Sequence, residues 1–190
     1  MIDLSYKPHL VGGKVILRPF LESDFPYIEE CLKDPEVLKL TGSDPSYDRE
    51  AVLHWYTTRN DQTDRLDLAI IDTNQEGVVG EVVANSYEAE TESMNFRILI
   101  GPRGRDRGLG TEATQLFVNH LFTASPLREI TLSVFDFNPR ARHVYEKAGF
   151  SEYGIEKDEL EFEGERIDSI LMSITRDVWQ ERRNGMRPTS

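Results

Sequence analysis

Apolar residues recur along this chain with two different periods, and the change of period separates strands from helices. Residues 14–18 place Val15 and Leu17 on one face, as a half-buried strand does. Three further strands of the same alternating type are predicted at 66–72, 78–86 and 94–100. Short polar turns join these three strands, which is typical of an antiparallel meander.

Helical spacing takes over between and after these strands. Apolar residues from Leu109 to Leu121 recur at the period of an α-helix. Other helix starts are indicated by residues that can cap an N-terminus, which are Ser23, Asp34, Ser46 and Asn138. Gly149 suits the left-handed position that ends the last of these helices. Further strands are predicted at 129–135, 153–162 and 167–174, with a last helical turn at 175–180.

These elements predict an α/β fold of the α+β type, a single domain with a mixed, mostly antiparallel, seven-stranded sheet flanked by helices. A strand, a helix and a strand follow one another between residues 94 and 135, which predicts a crossover connection. Residues 1–13 are interpreted as an N-terminal arm, 14–180 as the domain and 181–190 as a flexible C-terminal tail. Pairing of the final strand with a second copy would give a homodimer.

The net charge of −12 narrows the choice of partners. Nucleic acids need a basic face, so no nucleic-acid partner is expected, whereas an amine or another cation would be attracted. The single cysteine, Cys31, excludes an intrachain disulfide and is interpreted as buried and inert. The absence of a signal peptide and of a membrane-length apolar run predicts a cytoplasmic protein without a membrane partner. The scattered histidines lack ligand spacing, so no metal is expected.

The stretch ILIGPRGRDRGLGT, residues 98–111, joins a strand end, a basic glycine-spaced loop and a helix start. Helix N-termini present backbone N–H groups without intrahelical acceptors, and Gly108 and Gly110 let a ligand approach them closely. Arg105 and Arg107 add positive charge. The stretch therefore predicts a site for a pyrophosphate, and a solvated basic turn is the alternative. It lacks the Lys-Ser/Thr pair of a nucleoside-triphosphate loop and the acidic partner of a dinucleotide fingerprint.

A second motif lies downstream, within FNPRARHVYEKAGF at residues 137–150. The spacing Arg105-x-x-Gly108-x-Gly110 resembles a cofactor motif of the GNAT superfamily of acyl-CoA-dependent N-acetyltransferases, and the stretch from Asn138 through Tyr145 is similar to that superfamily's second cofactor motif. More narrowly, RGLGTEA and NPRARHVYEKAGF resemble the RimJ/RimL-like branch, which acetylates protein N-termini and other amines. The resemblance extends over residues 14–179.

The resemblance implies acetyl-CoA as the acyl donor and gives a role to each motif. Backbone groups of Ile98, Leu99 and Ile100 would pair with the pantetheine arm like an added strand. Asn138 would hydrogen-bond the pantetheine region, and Arg142 would reach a CoA phosphate. Tyr145 would donate a proton to the departing thiolate, although its position also suits a core aromatic. The pyrophosphate would lie against Arg105, Arg107, Gly108, Leu109, Gly110 and Thr111.

The resemblance does not identify the group that takes the proton of the amine. Many members of the superfamily carry a glutamate on the third meander strand, where this chain has Asn95. An amide orients a water but cannot take a proton, so Glu81 on the second meander strand becomes the candidate base. The absence of that glutamate also leaves open an acyl-CoA-binding module without catalysis.

The implied reaction is direct transfer of an acetyl group to a primary amine. The branch resemblance ranks the N-terminal α-amine of a protein or peptide first, with a polyamine-like or aminoglycoside-like amine as the alternative. Acidic residues crowd the last predicted hairpin, and Glu159 and Glu161 there would form an acidic mouth that steers a cationic amine. An ordinary solvated acidic face is the competing interpretation.

Overall fold

The computed structural model describes residues 2–43, 46–75 and 77–185, and their strands form one eight-stranded sheet. The strands are β1 (Leu10–Val11), β2 (Val15–Arg18), β3 (Leu66–Asp72), β4 (Gly77–Glu88), β5 (Ser93–Ile100), β6 (Glu129–Phe135), β7 (Ser151–Phe162) and β8 (Glu165–Thr175). Their order across the sheet is β1-β2-β3-β4-β5-β6-β8-β7. Only the β5–β6 pair is parallel among these strands, because the chain between them crosses over one face of the sheet.

The helices are α1 (Phe25–Lys33), α2 (Pro35–Thr41), α3 (Arg49–Thr58), α4 (Leu109–Ala124), α5 (Pro139–Ala148) and α6 (Arg176–Gly185). The main core lies between the sheet and the pair α4 and α5, where the rings of Phe96 and Phe117 pack 5.9 Å apart. A smaller core around Phe20 and Ile28 lies on the opposite face, under α1 and α3. The sheet is therefore covered on both faces, as predicted.

Strands β5 and β6 separate soon after they begin. Their ladder contains three residue pairs and ends at Asn95 and Thr131. β5 stays paired with β4 as far as Ile100, and β6 stays paired with β8 as far as Phe135. The sheet thus opens as a wedge between two well-paired halves, and the backbone of residues 96–100 borders the gap.

Local capping explains two of the helix starts that border this wedge. At the start of α2, the Asp34 carboxylate accepts a hydrogen bond from the Val37 amide at 2.9 Å. At the start of α5, Asn138 Oδ1 accepts one from the Ala141 amide at 3.1 Å. Gly149 ends α5 with a φ of +106°, which favours glycine. These starts and this end agree with the sequence predictions.

The sheet has one strand more than predicted, because β1 lies within the segment interpreted as an arm. Ile2 and Leu4 of that segment are buried in the main core. The Lys7 ammonium holds it there by donating to the carbonyl oxygens of Leu4, Gln62 and Arg65 at 2.6–2.8 Å. Burial of apolar side chains and these three bonds fix the segment against the domain.

Two predicted caps and the start of the tail also differ from the structure. Asp48, not Ser46, caps α3, since its carboxylate accepts from the amides of Glu50 and Ala51. Ser23 lies inside a short 3-10 turn, Glu22–Asp24, rather than at the start of α1. Helix α6 continues to Gly185, four residues beyond the point where the tail was predicted to begin, and residues 186–190 of that tail lie outside the described residues.

Cys31 is buried, and burial raises the pKa of its thiol to about 12, in agreement with an inert side chain. No described helix combines the length and apolar character needed to cross a membrane. Across residues 2–43, 46–75 and 77–185, no group of three or more His, Cys, Asp or Glu side chains is arranged to hold a metal ion.

Replacing Gly80 by alanine should destabilise the fold by about 3 kcal/mol, because an added Cβ would collide with the Leu99 carbonyl of the neighbouring strand. Gly80 pairs with Ile100 at the edge of the wedge, so the backbone has little room to give way. Urea unfolding measures the resulting change in the free energy of unfolding. Gly154→Ala in β7 is the matched control, since its Cβ would meet only the Leu171 side chain at 3.5 Å. Equal stability of the two variants would contradict the tight β4–β5 contact.

Candidate active site

A cavity of about 520 Å³ fills the wedge between β5 and β6. Directly opposed residues of an antiparallel pair share a face, so Glu81 and Leu99 point to the same side of the sheet. Alternation along β5 puts Asn95 and Arg97 on that side and Ile98 and Ile100 on the other. The cavity therefore has an α4 half, on the side of α4 and α5, and an α2 half, on the side of α2.

The start of α4 borders the α4 half. Gly108 is its N-cap at a φ of +75°, and no side chain caps the helix there. The amides of Leu109, Gly110 and Thr111 precede the first intrahelical bond, which joins the Glu112 amide to the Gly108 carbonyl at 3.3 Å. Uncapped amides at a helix N-terminus fit an anion such as a pyrophosphate, both by hydrogen bonding and through the helix dipole.

The Glu112 side chain attaches the start of α4 to the backbone at the start of β2. Its carboxylate accepts the backbone N–H groups of Gly13, Lys14 and Val15 at 2.7–3.0 Å. Three bonds to one carboxylate tie the turn before β2 to the first turn of α4. The loop that precedes α4 is consequently held at both its helix and its strand ends.

The two loop arginines are placed differently. Arg105 lines the cavity, but its guanidinium pairs with Asp34 and, at 3.0 Å, with Glu36. Arg107 pairs with the buried Asp72 at 2.5 Å and lies outside the cavity lining. Both charges are thus largely engaged in internal ion pairs, so the backbone amides at the start of α4 are the donors that remain available to an anion.

Helix α5 contributes Asn138 and Tyr145 to the cavity but directs Arg142 away from it. Asn138 uses Oδ1 for the helix cap, which leaves its Nδ2 group for other partners. Arg142 pairs with Glu146 at 3.2 Å and Glu152 at 2.9 Å on the surface. It therefore does not line the cavity.

Tyr145 is both a core aromatic and a cavity residue, so the two sequence interpretations are compatible. Its ring packs edge-on against Phe96, with centroids 6.2 Å apart, and against Phe150 at 6.0 Å. Burial raises the pKa of Tyr145 to about 12, an effect that the charge of Arg97 partly offsets. The phenol therefore keeps its proton through the neutral range and is available as a donor.

The α2 half is lined by side chains that the motifs do not contain. Val37, Leu40 and Thr41 form its helical wall, and Asn95 lies on its floor with its amide bonded to Asn85 Oδ1 at 3.0 Å. Ser133, Phe135, Ser169 and Glu159 line the far side. Ser169 is 1% exposed, and its hydroxyl has no hydrogen-bond partner among the described residues.

Glu81 lies in the α2 half with its side chain 18% exposed. Its Oε2 atom accepts hydrogen bonds from the Tyr56 hydroxyl and from Arg59 Nη1, each at 2.9 Å. Tyr56 of α3 is partly buried against the smaller core. Arg59 carries no motif signal, because its partners Asp67 and Glu81 lie eight and 22 residues further along the chain, on two different strands.

The structure thus brings most of the sequence-predicted site residues to one cavity. Those that line it are Glu81, Ile98, Leu99, Ile100, Arg105, Gly108, Leu109, Gly110, Thr111, Asn138 and Tyr145. Arg107 and Arg142 do not line it. The α2 wall, Arg97 and Ser169 were missed, since they sit on elements whose residue pattern indicates only packing.

Comparisons with known proteins agree with this geometry. Spermidine N(1)-acetyltransferase of Escherichia coli K12 is 29% identical over 161 residues, which cover 84% of this chain and 85% of that protein. An N-acetyltransferase 9-like protein of Caenorhabditis elegans is 26% identical over 188 residues, covering 90% and 92%. The fold matches the crystal structure of spermidine N-acetyltransferase from Vibrio cholerae in complex with CoA and spermine, with a TM-score of 0.80, 22% identity and coverage of 89% and 99%.

The family assignment rests on a longer pattern than either motif. Residues 14–151 match the model of the acetyltransferase (GNAT) domain, a range that covers most of the chain and all of the cavity lining except Glu159 and Ser169. The expectation drawn from the two cofactor motifs is confirmed at this level, and this chain belongs to the GNAT acetyltransferase family.

Proposed function

We propose that this chain transfers the acetyl group of acetyl-CoA to a primary amine of a polyamine. The coarser activity, acyl-CoA-dependent N-acetylation of an amine, follows from the family. The choice of a polyamine as the acceptor is supported by the relatives, since the matched Escherichia coli and Vibrio cholerae proteins are spermidine N-acetyltransferases. They favour the polyamine over the N-terminal α-amine that the RimJ/RimL-like resemblance ranks first.

The observation that carries the proposal is the pair of carboxylates in the α2 half. Glu81 and Glu159 both line it, on opposite sides of the wedge. A chain with a net charge of −12 adds a long-range attraction for cations. An alkyl chain with several ammonium groups suits this half, because it combines apolar side chains of α2 with two carboxylates.

The proposed reaction is direct attack, without an acyl-enzyme. The amine nitrogen bonds to the thioester carbonyl carbon, the carbon–sulfur bond breaks, and the thiolate takes a proton from Tyr145. Glu81 takes the proton that the amine loses, directly or through a water beside Asn95. Glu81 then releases its proton to solvent and Tyr145 regains one from solvent, so atoms and charges balance as N-acetylamine and CoA thiol.

A second acceptor class is favoured by Arg97. This guanidinium lines the α2 half and forms no ion pair with any described residue. An unpaired cation suits an acceptor that carries an anionic group, such as an acidic peptide. The N-terminal α-amine of such a peptide therefore stays the second candidate.

An acceptor panel separates these candidates. Spermidine and spermine should be acetylated with kcat/KM at least about tenfold above acidic or neutral peptides, a difference of about 1.4 kcal/mol in transition-state binding. Thiol release and mass spectrometry of the product measure it. Preference for an acidic peptide would favour the second candidate, and acetyl-CoA binding without turnover on any amine would favour a non-catalytic module.

Replacing Tyr145 by phenylalanine should lower kcat about 100-fold while the Kd for acetyl-CoA stays nearly constant, because only the proton donor is lost. The ring contacts with Phe96 and Phe150 persist in this variant. Steady-state kinetics and isothermal titration calorimetry separate the two effects. Tyr153→Phe, at a tyrosine that is 60% exposed, is the control. An unchanged kcat would limit Tyr145 to packing.

Replacing Glu159 by glutamine should raise the KM for spermidine about fivefold and flatten its dependence on salt, because one attractive charge leaves the cavity mouth. The value of kcat should stay the same. Kinetics at low and high ionic strength measure both quantities. Glu163→Gln serves as the control, since Glu163 lies in the β7–β8 turn outside the cavity lining. Identical kinetics of the two variants would make Glu159 an ordinary solvated charge.

A further inference from the structure

We propose that Tyr56 and Arg59 act as a clamp that positions Glu81 for proton transfer, and this inference rests on the acetyl transfer proposed above. The clamp is defined as Tyr56 at the end of α3, Arg59 in the turn that follows, and their two bonds to Glu81. None of the three residues belongs to a cofactor motif.

The two bonds orient the carboxylate. Both donors reach the same oxygen, Oε2, at 2.9 Å. Oε1 accepts no hydrogen bond from any residue in the described part of the chain. Since Glu81 lines the cavity and two donors already occupy Oε2, Oε1 is left as the oxygen available to take a proton.

Arg59 is itself immobilised. It is 3% exposed, and its Nε and Nη2 groups bond Asp67 Oδ1, with the first bond at 2.9 Å. The rings of Phe20 and Tyr56 cover the guanidinium, with centroids 5.1 and 4.5 Å from its central carbon. Burial opposes its charge, but the carboxylates of Glu81 and Asp67 outweigh burial and raise the pKa of Arg59. It is therefore a fixed, permanently charged donor.

The charge balance indicates more than core packing. Asp67 already has a second guanidinium, since Arg65 Nε bonds its Oδ2 at 2.6 Å. Arg59 and Arg65 together would leave Asp67 with an excess of positive charge, and Glu81 neutralises it through the remaining arm of Arg59. The buried ion pair of Arg59 and Asp67 thus continues to Glu81, the cavity residue that is proposed to accept the proton.

The other titratable groups around Glu81 do not compete for that proton. Burial, with the charge of Glu81, raises the pKa of Tyr56 well above its ordinary value. Burial and the charge of Glu81 also raise the pKa of the Cys31 thiol of α1, to about 12. Tyr56 and Cys31 therefore stay protonated in the neutral range, and Arg59 stays charged.

The test compares Tyr56→Phe and Arg59→Lys with Arg65→Lys, which alters a partner of Asp67 but no contact of Glu81. Each clamp variant should lower kcat about tenfold, the loss expected for one hydrogen bond to a charged group, with an unchanged KM for acetyl-CoA. Arg65→Lys should leave kcat and this KM unchanged.

A double-mutant cycle separates positioning from folding. In a Glu81→Gln background, Tyr56→Phe should have almost no further effect on kcat. An equal effect in both backgrounds, or full activity of Glu81→Gln itself, would overturn the clamp. The cycle uses whichever amine of the panel turns over fastest, so a wrong choice of polyamine does not alter its outcome. Tyr56→Phe removes a single hydroxyl, and thermal unfolding verifies that the variant is folded.

Discussion

The parting of β5 and β6 is the constraint on which the remainder of the site depends. A parallel ladder that stops at Asn95 and Thr131 leaves the backbone of residues 96–100 without a neighbouring strand on one side. An unpaired strand edge offers backbone N–H and C=O groups to which an extended molecule with amide groups of its own can bond. The gap stays open because each strand is held firmly on its other side, by β4 and by β8. The interruption of the sheet thus leaves an unpaired strand edge beside the cavity.

Internal ion pairs determine how charge is used around this gap. The guanidinium groups of Arg105 and Arg107 pair with aspartates that lie on other elements, and Asp72 is fully buried. Such pairs are costly to break once one partner is buried. They hold the loop before α4 in shape, while the uncapped amides of the helix start are left for an anion. The loop arginines are therefore engaged in holding the loop.

The opposite half of the cavity combines polar groups from many elements. Glu81 comes from the middle of a strand, Glu159 from an irregular stretch of the edge strand, and Ser169 from β8. Their separation in sequence exceeds any local motif, so only packing brings them together.

The sequence by itself determined the order of strands and helices, the caps at Asp34 and Asn138, and the two motifs that border the α4 half. These features are local, since hydrophobic period, capping and glycine conformation depend on neighbours a few residues apart. Only the tertiary structure decided that Arg107 and Arg142 pair away from the cavity, that β1 joins the sheet, and that Arg59 reaches Glu81. The position of Arg107, the pairing of β1 and the contact of Arg59 depend on ion pairs or ladders between separate elements. Arg142 pairs with the nearby Glu146 and Glu152, and only the packing of α5 shows that its face lies outside the cavity.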